Sequence, residues 1–278
     1  MHKVTRCLLF ALAFFIATPV IHARTSGAKR RTDRKVKKKK KQRYEKTKHR
    51  KFGGKYWRIK TKKGPVYVYV PNGYVRKTAG MVVYIHGHHT NVDTAWKHHK
   101  LPQQFRKSRQ NAIFVVPEAP INGQQAVHWP SLAKLKRVIS RAGIRMPDGP
   151  TIVIGHSGAF RTIAKWVDHR VLAQVILLDA LYARQKQFRE FIHGSKRAKH
   201  HKLVLISAND TLKRTKNFIE KLKYVAVKKR FPKSYRGFSR RERNSRVLFV
   251  RSQYSHMGLV VNQKVIPLIL RITPLRRL

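Results

Sequence analysis

Residues 151–166, Thr-Ile-Val-Ile-Gly-His-Ser-Gly-Ala-Phe-Arg-Thr-Ile-Ala-Lys-Trp, decide how the rest of the chain is read. Thr151 to Ile154 is a continuous apolar run without alternation, as expected of a strand buried on both faces. From Phe160 the spacing of apolar residues turns helical. Between the two lies Gly155-His156-Ser157-Gly158-Ala159, with small residues two before and two after a serine. Small side chains there permit a sharp strand-to-helix turn, which lifts the Ser157 hydroxyl to the strand end and aims a helix N-terminus at it. The fifth position is Ala159 where Gly is usual, a mild departure that still leaves room for close packing. A plainer role for Ser157 is to cap the following helix.

Outward from this stretch, strands and helices alternate. Met81–Ile85, Ala112–Val116, Val175–Leu178, Leu203–Ile206 and Val247–Val250 are further apolar runs. Helical stretches fall between them: Leu132–Ala142, Phe160–Val167, Leu212–Tyr224 and Leu259–Leu270. Before them, residues 56–70 alternate apolar with polar around Gly64-Pro65, which predicts an antiparallel hairpin closing on Pro71-Asn72-Gly73. The expected fold is a single α/β domain over residues 52–278, with a mainly parallel central sheet, helices on both faces and a leading N-terminal hairpin. No internal repeat interrupts it.

The remaining residues carry other signals. Residues 1–23 pair a short cationic start with the apolar run Cys7–Ala17 and end in Ile21-His22-Ala23. They read as a cleavable secretory signal, giving a secreted or periplasmic protein after cleavage near Ala23. Cys7, the only cysteine, falls inside that segment, so the mature chain is expected to hold no disulfide and no cysteine metal site. Residues 24–51 are Lys/Arg-rich with little to bury and are expected to be disordered. No later segment is long enough to cross a bilayer.

The net charge is +53, from 64 Lys and Arg against 11 Asp and Glu. Residues 1–51 hold 18 of the basic and 2 of the acidic side chains, so residues 52–278 keep +37. Such a surface attracts polyanions, among them acidic cell-envelope polymers and nucleic acid.

The Gly155–Ala159 turn, set between a buried strand and a helix, resembles the nucleophile turn of the α/β-hydrolase superfamily, as in exported bacterial serine esterases and lipases. The likeness runs over roughly residues 66–278. It implies a serine hydrolase that cleaves an ester, thioester or amide through an acyl-enzyme, with Ser157 as nucleophile and no cofactor. Ile85-His86-Gly87-His88 is similar to the His-Gly after the third strand of many lipases. Carried over, the backbone N–H groups of His88 and Gly158 would hold the oxyanion. His256, in the loop after Val247–Val250 and followed by Gly258, stands where the family keeps its general base. The order Ser157, Asp210, His256 matches the family, with Asp210 after Leu203–Ile206. Asp179, ending Val175–Leu178, is the alternative acid, with a structural partnership to Arg161 as its other expected role.

Several features compete with this reading. His86, His88, His89 and Asp93 lie close together, but their spacing fits no familiar metal site. His98-His99 and His200-His201 lie among lysines and are expected in exposed loops. Trp96, Trp129 and Pro117–Pro120 follow strands, where they would either line a substrate cleft or serve as packing caps. Residues 183–201 occupy the place where the family often inserts a lid; the insert here is short and basic. A second function class stays open: a non-catalytic polyanion-binding protein on a hydrolase scaffold.

Overall fold

The computed structural model describes residues 45–194 and 200–278. The expected signal, most of the basic tail and part of the expected lid lie outside the described residues. Within them, ten strands form one sheet in the order β1-β2-β3-β5-β4-β6-β7-β8-β10-β9. The expected hairpin is β2 (Gly54–Ile59) against β3 (Val66–Pro71), antiparallel with Ile59 opposite Val66. It closes at residues 60–65 around Gly64-Pro65 and not at Pro71-Asn72-Gly73, which lies at its open end where Gly54 faces Pro71. β3 runs antiparallel to β5 (Ala112–Pro117). From β5 onward every pairing is parallel, through β4 (Gly80–Ile85), β6 (Thr151–His156), β7 (Leu172–Leu178), β8 (Lys202–Ser207), β10 (Val247–Arg251) and β9 (Val225–Lys228).

Because successive side chains of a strand face opposite ways, each apolar run feeds two cores. Val83, Val153, Val175 and Leu205 pack on one face beneath α3 (Leu132–Arg141), α5 (Gln185–His193) and α6 (Asn209–Glu220). Val82, Ile152, Ile176 and Val204 pack on the other, beneath α1 (Val92–His98), α2 (Leu101–Ser108) and α9 (Val265–Leu270). Trp96 and Trp129 are buried in these cores. Trp96 stacks on Tyr67 at 4.4 Å, and the Trp129 carbonyl accepts from the Trp166 indole.

Several boundaries differ from the sequence reading, each for a local reason. Lys46–Lys51, assigned to the disordered tail, is β1, paired along its length with β2 and held by a His49–Tyr56 ring stack at 4.6 Å. β9 escaped notice because only Ala226 of its four residues is buried. The helix expected over Phe160–Val167 is α4 (Phe160–Ile163), a single turn. The helix expected from Leu259 to Leu270 is two pieces, α8 (Gly258–Val261) and α9. Asn262 Oδ1 accepts the N–H groups of Lys264 and Val265 there, and Gln263 has a left-handed φ of 56°. His99 and His201 are buried, where exposed loop positions were expected. His99 Nδ1 meets the Tyr84 hydroxyl, and His201 stacks on Phe191 at 4.2 Å.

Candidate active site

Parallel strands bring their C-terminal ends to one edge of the sheet, and the residues singled out from the sequence meet there. Ser157 directly follows β6 with φ of 53°, a left-handed conformation that side chains other than glycine rarely adopt. A strained turn of this kind is what the Gly155–Ala159 pattern predicts. A Cβ on Gly155 would come within 2.3 Å of Ile163 Cδ1 and 3.0 Å of Ala159 Cβ. The bare Gly155 is thus what makes room for alanine at the fifth position.

The loop after β4 lies directly against this turn. A Cβ on Gly87 would stand 2.7 Å from Ser157 Cβ, and one on Gly158 would stand 2.3 Å from His88 Nε2. The His88 ring therefore covers Gly158, and burial with the nearby Arg161 charge lowers its pKa. The N–H of Gly158, in the first turn of its helical segment, has no intrahelical acceptor. His86 braces this loop from below. Its Nδ1 donates to the Gly87 carbonyl at 2.8 Å, while Nε2 lies 2.8 Å from Glu118 Oε1. Glu118 in turn accepts the N–H of Val92, tying the loops after β4 and β5 together.

His256, after β10, is half-buried. Its Nδ1 lies 2.7 Å from Asp179 Oδ2, in a hydrogen bond, and 3.5 Å from Asp210 Oδ2, outside one. Of the two acids, the hydrogen-bonded partner of His256 is Asp179, the alternative from the sequence, and not Asp210, the one the sequence favoured. Asp179 is fully buried, with φ of 45°. Its Oδ1 accepts the N–H groups of Ala208 and Thr211, both at 3.1 Å, and the Thr211 hydroxyl at 2.5 Å. Burial would raise its pKa, but the bonds from His256 and Thr211 outweigh burial and leave it lowered. The expected Arg161–Asp179 pair does not form. Arg161 instead donates to the carbonyls of Asn122 and Gln125, anchoring the loop after β5.

Asp210 sits in the first turn of α6, half-exposed, and accepts the Tyr182 hydroxyl at 3.1 Å. Tyr182 also reaches the Ser157 side chain, and burial raises its pKa. The hydrogen bond from Asp179 raises the pKa of His256, with the charge of Asp210 adding to it. His156 is buried and pushed down to about 3 by burial, so its ring is neutral. Its Nε2–H donates to the His256 carbonyl at 3.1 Å, and the two rings lie 4.4 Å apart. Sequence reasoning passed over Tyr182, Thr211 and the His156 side chain, and it placed Glu118 only within the loop segment Pro117–Pro120, without this role.

Asp179, Asp210 and His256 are also the one cluster among the described residues with ligand atoms close enough to hold a metal ion. The two best-buried donors of that set are already bonded to each other. Asp93, the acid grouped with the histidines after β4, forms a two-point ion pair with Arg58 and accepts from Tyr67, so it is taken.

No protein-family model matches the chain, and no curated protein matches it in sequence. Solved structures do match in shape. An S-formylglutathione hydrolase from Agrobacterium tumefaciens, 10% identical, covers 81% of this chain and 96% of its own with a TM-score of 0.50. An S-formylglutathione hydrolase from Staphylococcus aureus, 11% identical, covers 83% and 98% with a TM-score of 0.50. A ferulic acid esterase, also 11% identical, gives the same coverage and TM-score. At such identities the likeness is one of architecture. Together with the sheet order and the helices on both faces, it gives this chain the fold of the α/β-hydrolase superfamily.

Proposed function

We propose that the protein is a serine hydrolase that cleaves an ester, thioester or amide through an acyl-enzyme. The observation that carries this reading is the 2.7 Å bond from His256 to the buried Asp179 at the strand edge where Ser157 turns. With Nδ1–H held by Asp179, His256 presents Nε2 as the basic nitrogen. Ser157 Oγ attacks the substrate carbonyl and gives its proton to that nitrogen. The carbonyl oxygen becomes an oxyanion, held by the N–H groups of His88 and Gly158. His256 then returns the proton to the leaving group as the carbon–heteroatom bond breaks, leaving Ser157 acylated. Water, deprotonated by the same histidine, repeats the attack and releases the acid and the free serine. Asp179 keeps one tautomer and one orientation throughout and offsets the imidazolium charge.

Turnover of p-nitrophenyl esters of graded chain length tests the reading. The wild-type chain should turn over, and Ser157→Ala and His256→Ala should each lose more than about 10³-fold in kcat. Equal rates in all three would overturn it.

Export belongs to the same proposal and rests on residues 1–23. N-terminal sequencing of exported protein should begin at or near Arg24, and an intact Met1 would contradict it. No helix among the described residues is long and apolar enough to cross a membrane. The reading as a polyanion binder rests on the charge of +53 and is compatible with catalysis.

A further inference from the structure

The His88 N–H can hold an oxyanion only if the loop after β4 keeps a fixed place beside Ser157. Two anchors tie that loop to the loop after β5. At its far side, the His89 N–H donates to the Ile121 carbonyl at 2.8 Å. At its root, the buried His86 ring meets Glu118. Arg161, just beyond Ser157, holds the loop after β5 through the Asn122 and Gln125 carbonyls. The anchors therefore refer the oxyanion loop to the nucleophile's own segment.

The root anchor converges on one atom. Glu118 Oε1 lies 2.8 Å from His86 Nε2, 3.1 Å from the Val92 nitrogen and 3.2 Å from the Ala119 nitrogen. Glu118 is itself clamped. Its N–H donates to the Pro65 carbonyl at 2.9 Å, and a Cβ on Gly64 would stand 2.5 Å from its Cβ and Cγ. The turn between β2 and β3 thus leaves, at the bare Gly64, the space that Glu118 fills.

Counting protons makes the contact specific. A carbonyl only accepts, so His86 Nδ1, 2.8 Å from the Gly87 carbonyl, carries a hydrogen. If that were the ring's only hydrogen and Glu118 were ionised, two lone pairs would face each other at 2.8 Å inside the fold. One further proton therefore lies between Nε2 and Oε1. The Ala119 N–H, 3.0 Å from Nε2, is then left to Oε1. Glutamine cannot copy this arrangement. Its amide oxygen would face an unprotonated Nε2, and its NH₂ group, turned to His86, would leave the Val92 and Ala119 N–H groups without an acceptor.

We propose that Glu118 is a positioning residue: by sharing a proton with His86, it fixes where the loop after β4 presents the His88 N–H. The inference rests on the hydrolase reading and adds to it the group that sets the oxyanion geometry. Glu118 acts through His86 and Gly87, not on the substrate.

Steady-state kinetics of Glu118→Gln on p-nitrophenyl esters tests it. The variant keeps the shape of the side chain, so its circular dichroism should match the wild type. Its kcat should fall about 10²-fold, with KM changed by less than about threefold. Gly87→Ala acts on the same loop, so the double variant Gly87→Ala/Glu118→Gln should lose little more than either single one. Glu190→Gln, in a pair with Lys186 on α5, should leave both constants unchanged. In proton NMR, the shared proton should give a downfield, slowly exchanging resonance, present in the wild type and Asp179→Asn and missing from Glu118→Gln. Wild-type kcat in Glu118→Gln, losses that multiply in the double variant, or a resonance that survives Glu118→Gln would each overturn the proposal while sparing the hydrolase reading. A wild type that turns over no ester would overturn both together.

Discussion

The two acids near His256 differ in what surrounds them, and that difference is invisible in a linear sequence. Asp210 stands at the usual family position, but it opens α6 and faces solvent, with Tyr182 as its partner. Asp179 owes its place to the left-handed backbone at the end of β7 and to three donors supplied by Ala208 and Thr211. Ser157 and His256 were legible because their types and strand-end positions are distinctive; the choice between two aspartates needed coordinates. Asp179→Asn should cut kcat by about 10⁴, because the histidine loses its correct tautomer. Asp210→Asn should cost less than about tenfold, since a half-exposed charge is well screened. The pH profile separates them further. His256 must be neutral to act, and its pKa is raised mainly by Asp179. Activity should therefore appear as pH rises through a value above that of an ordinary histidine and vanish below it. Asp210→Asn should move that limb slightly to lower pH while keeping its height. A profile that Asp210→Asn abolishes and Asp179→Asn leaves intact would reverse the two roles.

At the scale of elements, the parallel strands were readable because doubly buried strands are unbroken apolar runs, and β4, β5, β6, β8 and β10 match them within two residues. The edges were not. β1 is almost entirely Lys, Arg, Thr and His, and pairing with β2 overrides its composition. The α8–α9 break depends on a side-chain cap from Asn262 that apolar periodicity conceals. Function at this scale rests on the packing of the loop after β4 against the serine turn. Gly87→Ala would place a methyl 2.7 Å from Ser157 Cβ and 3.2 Å from the His156 carbonyl, so the loop must shift. A displacement near 1 Å costs about 10²-fold in rate. The variant should lose that much kcat while its circular dichroism stays unchanged. Wild-type turnover in Gly87→Ala would show that the loop does not define the oxyanion site.

At the scale of the whole molecule, charge dominates, with +37 on residues 52–278 alone. Binding of the full chain to a polyanion such as heparin should weaken steeply and linearly in log salt, as counterions are released. Deleting residues 24–44, which precede β1, should reduce the salt slope without abolishing binding or small-ester turnover. Heparin affinity insensitive to salt would point to a shaped site in place of a charged surface.

The central claim is that this chain, folded as described, activates Ser157. Incubation with a fluorophosphonate followed by peptide mass spectrometry tests it most directly. The account predicts one covalent adduct per chain, on the peptide carrying Ser157, formed fast in the wild type and Asp210→Asn, slowly in Asp179→Asn and never in His256→Ala. Absence of an adduct on folded wild-type protein, or an adduct on another serine, would contradict it.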